Sequence, residues 1–308
     1  MKYSLQTAFF YVVLICCIGF SCSSSQNGDW EEGKDVPTKV ADPNDDFLLT
    51  LTTEYGDMKI ILYKETPIHR ENFIKLVRQH YYDSLLFHRV IDGFMIQGGD
   101  PDSRFADEND HLGRGEIGEQ LPAEINYKYI HQKGALAMAR KGGGSNPEKK
   151  SSGCQFYIVD GKKYTKEALY DAKTDYKKVN QYFTALMEDP EYSRVGQAYV
   201  QLGEKGDAAG QKRLMKKCIP LMEKKYEVQL IEKPTRKEKN AYTKLGGTPF
   251  LDREYTVFGQ VVEGLDVIDK IASQKVNRQK RPLEDIKMSI TVEEVPAVYV
   301  EQLLKKIH

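Results

Sequence analysis

The chain has 308 residues, 40% of them hydrophobic, which allows about two domains and at least one core that needs no covalent staples. Lys plus Arg and Asp plus Glu both number 45, so no global charge excess points to nucleic acid or to an anionic surface. Three of the five cysteines fall in the first 22 residues, which excludes a disulfide scaffold; Cys154 and Cys218 are either one bridge in an oxidising compartment or two free, partly buried thiols.

The amino terminus reads as a targeting segment: Lys2, an apolar run over 8–20, then Ser21, Cys22 and Ser23. The run is too short to span a bilayer. Gly19-Phe20-Ser21-Cys22 resembles a bacterial lipoprotein signal, which makes 1–22 a signal peptide and Cys22 the lipidated residue. A plain cleaved signal and a retained anchor are the other readings, and all three place the body outside the cytoplasm; with Cys22 lipidated it is expected in the bacterial cell envelope, facing the periplasm or at the outer membrane. Residues 23–46 are polar and suit a tether.

The fold is expected to begin at Phe47, with strands over 47–53 and 57–63 joined by the Glu54-Tyr55-Gly56-Asp57 turn. Thr66-Pro67 predicts a helix start, with Thr66 as N-cap and an end near His80. Short strands follow near 87–91, 95–98, 135–139 and 155–159. Over 161–247 apolar residues recur at helical spacing, so a helical insertion interrupts a mostly β domain of 47–160 and 248–295. Within the second part, strands are expected over 255–262 and 286–295 with a helix near 265–271 between them, and 296–308 is a helical tail.

The stretch Phe87-His88-Arg89-Val90-Ile91-Asp92-Gly93-Phe94-Met95-Ile96-Gln97-Gly98-Gly99-Asp100 carries the chemistry. Strand alternation, with a turn at Asp92-Gly93, lets Arg89, Phe94 and Gln97 converge on one patch. A cation, an aromatic ring and an amide side by side suit an extended, uncharged peptide, and none of them is a nucleophile or a metal ligand. This stretch resembles the signature of the cyclophilins. Gly134-Ala135-Leu136-Ala137-Met138-Ala139, Ser152-Gly153-Cys154-Gln155-Phe156-Tyr157-Ile158 and Val257-Phe258-Gly259-Gln260-Val261-Val262-Glu263-Gly264 resemble later blocks of that family, in the same order.

The resemblance implies a closed eight-stranded antiparallel β-barrel with two capping helices, here with the helical insertion. It also implies peptidyl-prolyl cis/trans isomerisation, without a cofactor or metal, on proline-containing segments of unfolded or exported proteins. Arg89 would be catalytic, Gln97 would orient it and the substrate carbonyl, and Phe94, Met95 and Leu251 would line the proline pocket. Ala139 and Gln155 would hold the residues before the proline. Arg140, Tyr157, Phe250 and Tyr255 stand where Asn, Phe, Trp and His are common. Those departures sustain an alternative, a non-catalytic proline-peptide binding or chaperone module on the same fold.

Other motifs point elsewhere less well. Gly113-Arg114-Gly115-Glu116-Ile117-Gly118 fits the dinucleotide fingerprint, but no strand precedes it and no helical stripe follows, so it reads as a loop. The six histidines show no metal-ligand spacing. Residues 161–249 hold 19 Lys plus Arg against 12 Asp plus Glu. That excess reads either as a solvated helical subdomain or as a surface that docks unfolded chains beside the proline site.

Overall fold

The computed structural model describes residues 36–307. Strand β1 (Asp45–Thr53) turns tightly into β2 (Gly56–Leu62), with Thr53 opposite Gly56. Gly56 takes φ +124°, a conformation a side chain would resist. Thr53 Oγ1 locks the turn, accepting from Tyr55 N and donating to the Gly56 carbonyl, both at 3.1 Å. Helix α1 (Pro67–Arg78) begins at the predicted proline, but Thr66 does not cap it, because its hydroxyl donates to the Tyr63 carbonyl. The Glu124 carboxylate does so instead, accepting from Ile68 N at 3.1 Å and His69 N at 2.9 Å; a full negative charge suits the positive end of the helix better than a hydroxyl.

Strands β3 (Arg89–Ile91), β4 (Met95–Gly98), β5 (Ala135–Met138), β6 (Phe156–Val159), β7 (Val257–Glu263) and β8 (Ser289–Pro296) complete one eight-stranded sheet. Its order is β3-β4-β6-β5-β7-β2-β1-β8, and every pairing is antiparallel. As a strand ladder the sheet is open, ending at β3 and β8, where the sequence suggests a closed barrel. Strand β3 is only three residues long, and Ser84, with φ +65°, breaks the extended backbone shortly before it. Irregular bonds link the two ends: Ser84 N to Met288 O, Met288 N to Leu85 O and Phe87 N to Ile286 O, each 2.9 Å.

Between β6 and β7 lie α2 (Lys166–Ala172), α3 (Tyr176–Glu188), α4 (Ser193–Glu204), α5 (Ala208–Tyr226) and α6 (Arg236–Lys244). Thr165, Asp175 and Asp207 each cap a helix through a side-chain oxygen, and Thr235 with Glu238 forms a capping box. Val179, Phe183, Leu186, Cys218, Ile219, Met222 and Leu230 form a core separate from that of the sheet. The segment leaves and rejoins the sheet at one place. Lys162 and Gly247 pair, and a Cβ on Gly161 would lie 2.3 Å from Gly247 Cα, so only glycine allows the approach. Closing so long an excursion is entropically inexpensive, because the cost grows only with the logarithm of its length.

Helix α1 buries Phe73 against Tyr82, Phe156 and Phe258, with ring centroids 4.9, 5.4 and 5.3 Å away. Helix α7 (Leu265–Ala272) buries Val267, Ile268 and Ile271. Helix α8 (Ala297–Lys305) sets Val300 and Leu303 against Leu48, Ile61 and Val262. Cys154 and Cys218 are both free and buried, which settles the two readings in favour of thiols. No helix among the described residues is long and apolar enough to cross a membrane.

Candidate active site

The site is built on the β3–β4 hairpin, where Arg89 pairs with Gln97, Val90 with Ile96 and Ile91 with Met95. Gly93, at φ +68°, makes the turn, and its N–H donates to Asp160 Oδ2 at 2.8 Å. Alternation sends Ile96 into the core and turns Met95 and Gln97 the other way. Arg89 Nη1 donates to Gln97 Oε1 at 3.0 Å. Because a guanidinium only donates, Gln97 must present its oxygen there and its Nε2 elsewhere. That Nε2 donates to Gln155 Oε1 at 3.1 Å, and Gln155 Nε2 donates to the Gly115 carbonyl at 2.7 Å. The three side chains are thus locked in one sense, anchored on the 113–118 loop.

Arg89, Phe94, Met95, Gln97, Ala139, Arg140, Tyr157, Leu251 and Tyr255 line one cavity of about 100 Å³. That is room for about three waters or one small ring. Strand β5, next to β6 in the sheet, contributes buried Ala135 and Ala137 to the hydrophobic cluster that holds Met95 and Tyr157. Arg89 lies 5.9 Å from the centre of the Phe94 ring and makes no ion pair among the described residues. Burial lowers the pKa of its guanidinium, with Tyr255 opposing the shift. Gln155 faces an adjoining 370 Å³ groove with Gly113, Arg114, Glu116, Ala139 and Ser152. Phe250 does not line the cavity: 52% exposed, it stacks on the ring of Phe94 at 5.7 Å.

The residues that depart from the common pattern are held internally. Arg140 donates through Nε to the Glu254 carbonyl at 2.8 Å, pairs with the Glu254 carboxylate at 3.1 Å and lies 4.5 Å over the Tyr255 ring. Tyr157 turns its ring to the cavity and its hydroxyl away from it, to His131 Nε2 at 3.0 Å. Burial raises the pKa of that hydroxyl well above its ordinary value, so it stays neutral. The cavity floor is therefore as apolar as phenylalanine would make it.

Beneath the floor lies a cluster that the sequence reading does not include. Asp252 accepts from His131 N at 2.9 Å, His131 Nδ1 at 3.1 Å, Tyr242 Oη at 2.8 Å and Lys173 Nζ at 2.8 Å. Lys173 also reaches Glu238 at 2.7 Å. Burial pushes the Asp252 carboxyl up, but His131 and Lys173 outweigh it and hold its pKa below the usual carboxylate range. Asp252 directly follows Leu251, which is the only local signal that could have found it. Cys22 lies outside the described residues. The 113–118 loop contains neither helix nor strand, and no metal-binding group of three His, Cys, Asp or Glu occurs among the described residues.

The family model for cyclophilin type peptidyl-prolyl cis-trans isomerases matches residues 48–188 and 228–292, leaving out the stretch that holds α4 and α5. A candidate peptidyl-prolyl cis-trans isomerase of Staphylococcus saprophyticus is 30% identical over 239 residues, covering 77% of this chain and 87% of that protein. A candidate bifunctional phosphatase/peptidyl-prolyl cis-trans isomerase of Streptococcus pyogenes is 29% identical over 241 residues, but the chain spans only 37% of its length. A crystal structure of a cyclophilin type isomerase from Cryptosporidium parvum matches 82% of this chain and 99% of its own, with 19% identity and a TM-score of 0.48.

Proposed function

The chain belongs to the cyclophilin-type peptidyl-prolyl cis-trans isomerase family, a family of enzymes, and from that premise we propose that Arg89 lowers the barrier to X-Pro rotation in the 100 Å³ cavity. The uncatalysed barrier is about 20 kcal/mol because amide resonance must be broken. No bond is made, so neither a nucleophile nor a base is needed. As the C–N bond twists, the proline nitrogen pyramidalises and gains a lone pair. A guanidinium that stays charged can donate to it, and does so more strongly when half-buried than in water. A hundred-thousandfold acceleration would require about 7 kcal/mol from Arg89, desolvation and preferential binding of the twisted form together.

The observation that carries this reading is the polarity of the Arg89–Gln97–Gln155 chain. It holds the cation over an apolar cavity by a neutral acceptor, so its charge is not spent on a carboxylate. In this reading the proline ring sits against Phe94, Met95, Tyr157 and Leu251, and the preceding residues run past Ala139 and Gln155. The clients are exported, incompletely folded proteins, and Cys22 carries a lipid that holds the domain at a membrane of the cell envelope. Conversion of an X-Pro tetrapeptide, followed by exchange NMR, tests the assignment. Line broadening at catalytic amounts of the chain is expected. Saturable binding with no gain over the spontaneous rate would make it a binding module.

A further inference from the structure

The cluster under the pocket floor joins the helical segment to the proline site through a continuous run of buried polar groups. Lys173, just past the end of α2, has a side chain only 4% exposed, and Asp252 one only 3% exposed. An ionised carboxylate offers about four acceptor sites, and Asp252 receives four donors, from His131 twice, Tyr242 and Lys173. The hub is therefore saturated, and its partners come from the C-terminal cap of α2, from α6 and from the loop before β5.

This saturation dictates the sense of the next bond. Asp252 can only accept, so His131 Nδ1 must donate to it. In the neutral ring Nε2 is then left as an acceptor, and it takes the Tyr157 hydroxyl proton at 3.0 Å. His131 is itself fully buried and its ring lies nearly parallel to Tyr157, at 12° and 6.1 Å. The chain of bonds from Lys173 through Asp252 and His131 ends on the ring that floors the pocket.

We propose that Lys173 and Asp252 are positioning residues for the isomerisation: through His131 they fix the plane of the Tyr157 ring, so that the helical segment takes part in shaping the proline pocket. The proposal rests on Tyr157 being the pocket floor, as above. Losing the lysine charge leaves Asp252 buried with one donor fewer, frees the imidazole to reorient, and lets the tyrosine ring swing. A loose floor distinguishes planar from twisted proline less well, so the loss falls on kcat more than on KM.

The test is a double-mutant cycle on the full chain with an X-Pro tetrapeptide: Lys173→Met, Tyr157→Phe and both together. Lys173→Met should lower kcat about fivefold where Tyr157 is present, and by less than about 1.5-fold where phenylalanine has cut the hydroxyl link. Equal losses in both backgrounds, or a lower melting temperature with no kinetic loss, would overturn the proposal. If Lys173→Met does not fold, the ¹⁵N spectrum of His131 in the unmodified chain decides. A neutral ring protonated on Nδ1 supports the relay; one protonated on Nε2, or an imidazolium protonated on both nitrogens, refutes it. That spectrum also decides if the unmodified chain does not turn the peptide over, since failure of the function and failure of the relay are then read separately.

Discussion

Arg89 can serve a twisting amide only while no anion claims its guanidinium. Gln97→Glu keeps the shape of the side chain but supplies that anion and sets a carboxylate oxygen against Gln155 Oε1. We predict a fall in kcat of about tenfold or more with little change in melting temperature, read by the same tetrapeptide assay. His88 beside it is buried, and burial pushes its imidazole pKa down to about 4, against the pull of Asp100. The fold therefore favours neutral His88: its contribution is complete above pH 6.5 and is lost as the pH falls towards 4, in total roughly 3 kcal/mol. Buried His69 shifts the same way. Urea unfolding at pH 7 and pH 4.5 should show the loss, and His88→Gln should remove part of it. Asp252 and Glu238 are both held below their ordinary values, so their contribution is complete near neutral pH, begins to fall below about pH 5 and continues to fall at lower pH. At this scale Arg89, Phe94 and Gln97 are legible as a converging set because strand alternation and one glycine turn bring them together. Lys173 is not: one lysine in a stretch with 19 Lys and Arg reads as solvent-facing, and its partners Glu238 and Asp252 are 65 and 79 residues away.

At the scale of elements, the helical segment divides into a part that touches the site and a part that does not. Asp175 N donates to Leu230 O at 2.9 Å, and Thr174 bridges Ile231, so α3, α4 and α5 form a loop whose ends already meet. Excising 176–229 with a short glycine linker keeps Lys173 and Glu238. Tetrapeptide turnover should stay within about twofold, because a closed excursion can be shortened at small entropic cost. Refolding of a proline-limited protein should slow if the basic helices hold unfolded chains; an unchanged refolding rate would remove that role from them. The helical spacing of this segment is legible in the sequence, and so are the strands, apart from their ends. The glycine approach of Gly161 to Gly247 is not, because it is a contact between residues far apart in the chain. Gly247→Ala, whose Cβ would meet the His131 carbonyl at 2.2 Å, should destabilise the fold by about 2 kcal/mol or more in denaturant titration.

Across the whole molecule, the described body presents an open eight-stranded sheet with the site at the β3–β4 end, and a separate helical core formed by the segment inserted between β6 and β7. The ordered family blocks make this sheet legible. Its ends are less so, since they are joined by irregular bonds around Ser84 and Met288 rather than by a ladder that periodicity can reveal. If Cys22 carries the anchor, Cys22→Ser should move the protein from the membrane fraction to the supernatant after cell lysis, and an unchanged distribution would argue against lipidation. The central claim concerns one side chain, and the most direct measurement is the kcat of Arg89→Ala on an X-Pro tetrapeptide, with melting temperature and peptide affinity measured alongside. The account predicts a loss of about a hundredfold or more in kcat with the fold and binding retained. A variant that keeps its rate within about twofold would contradict it.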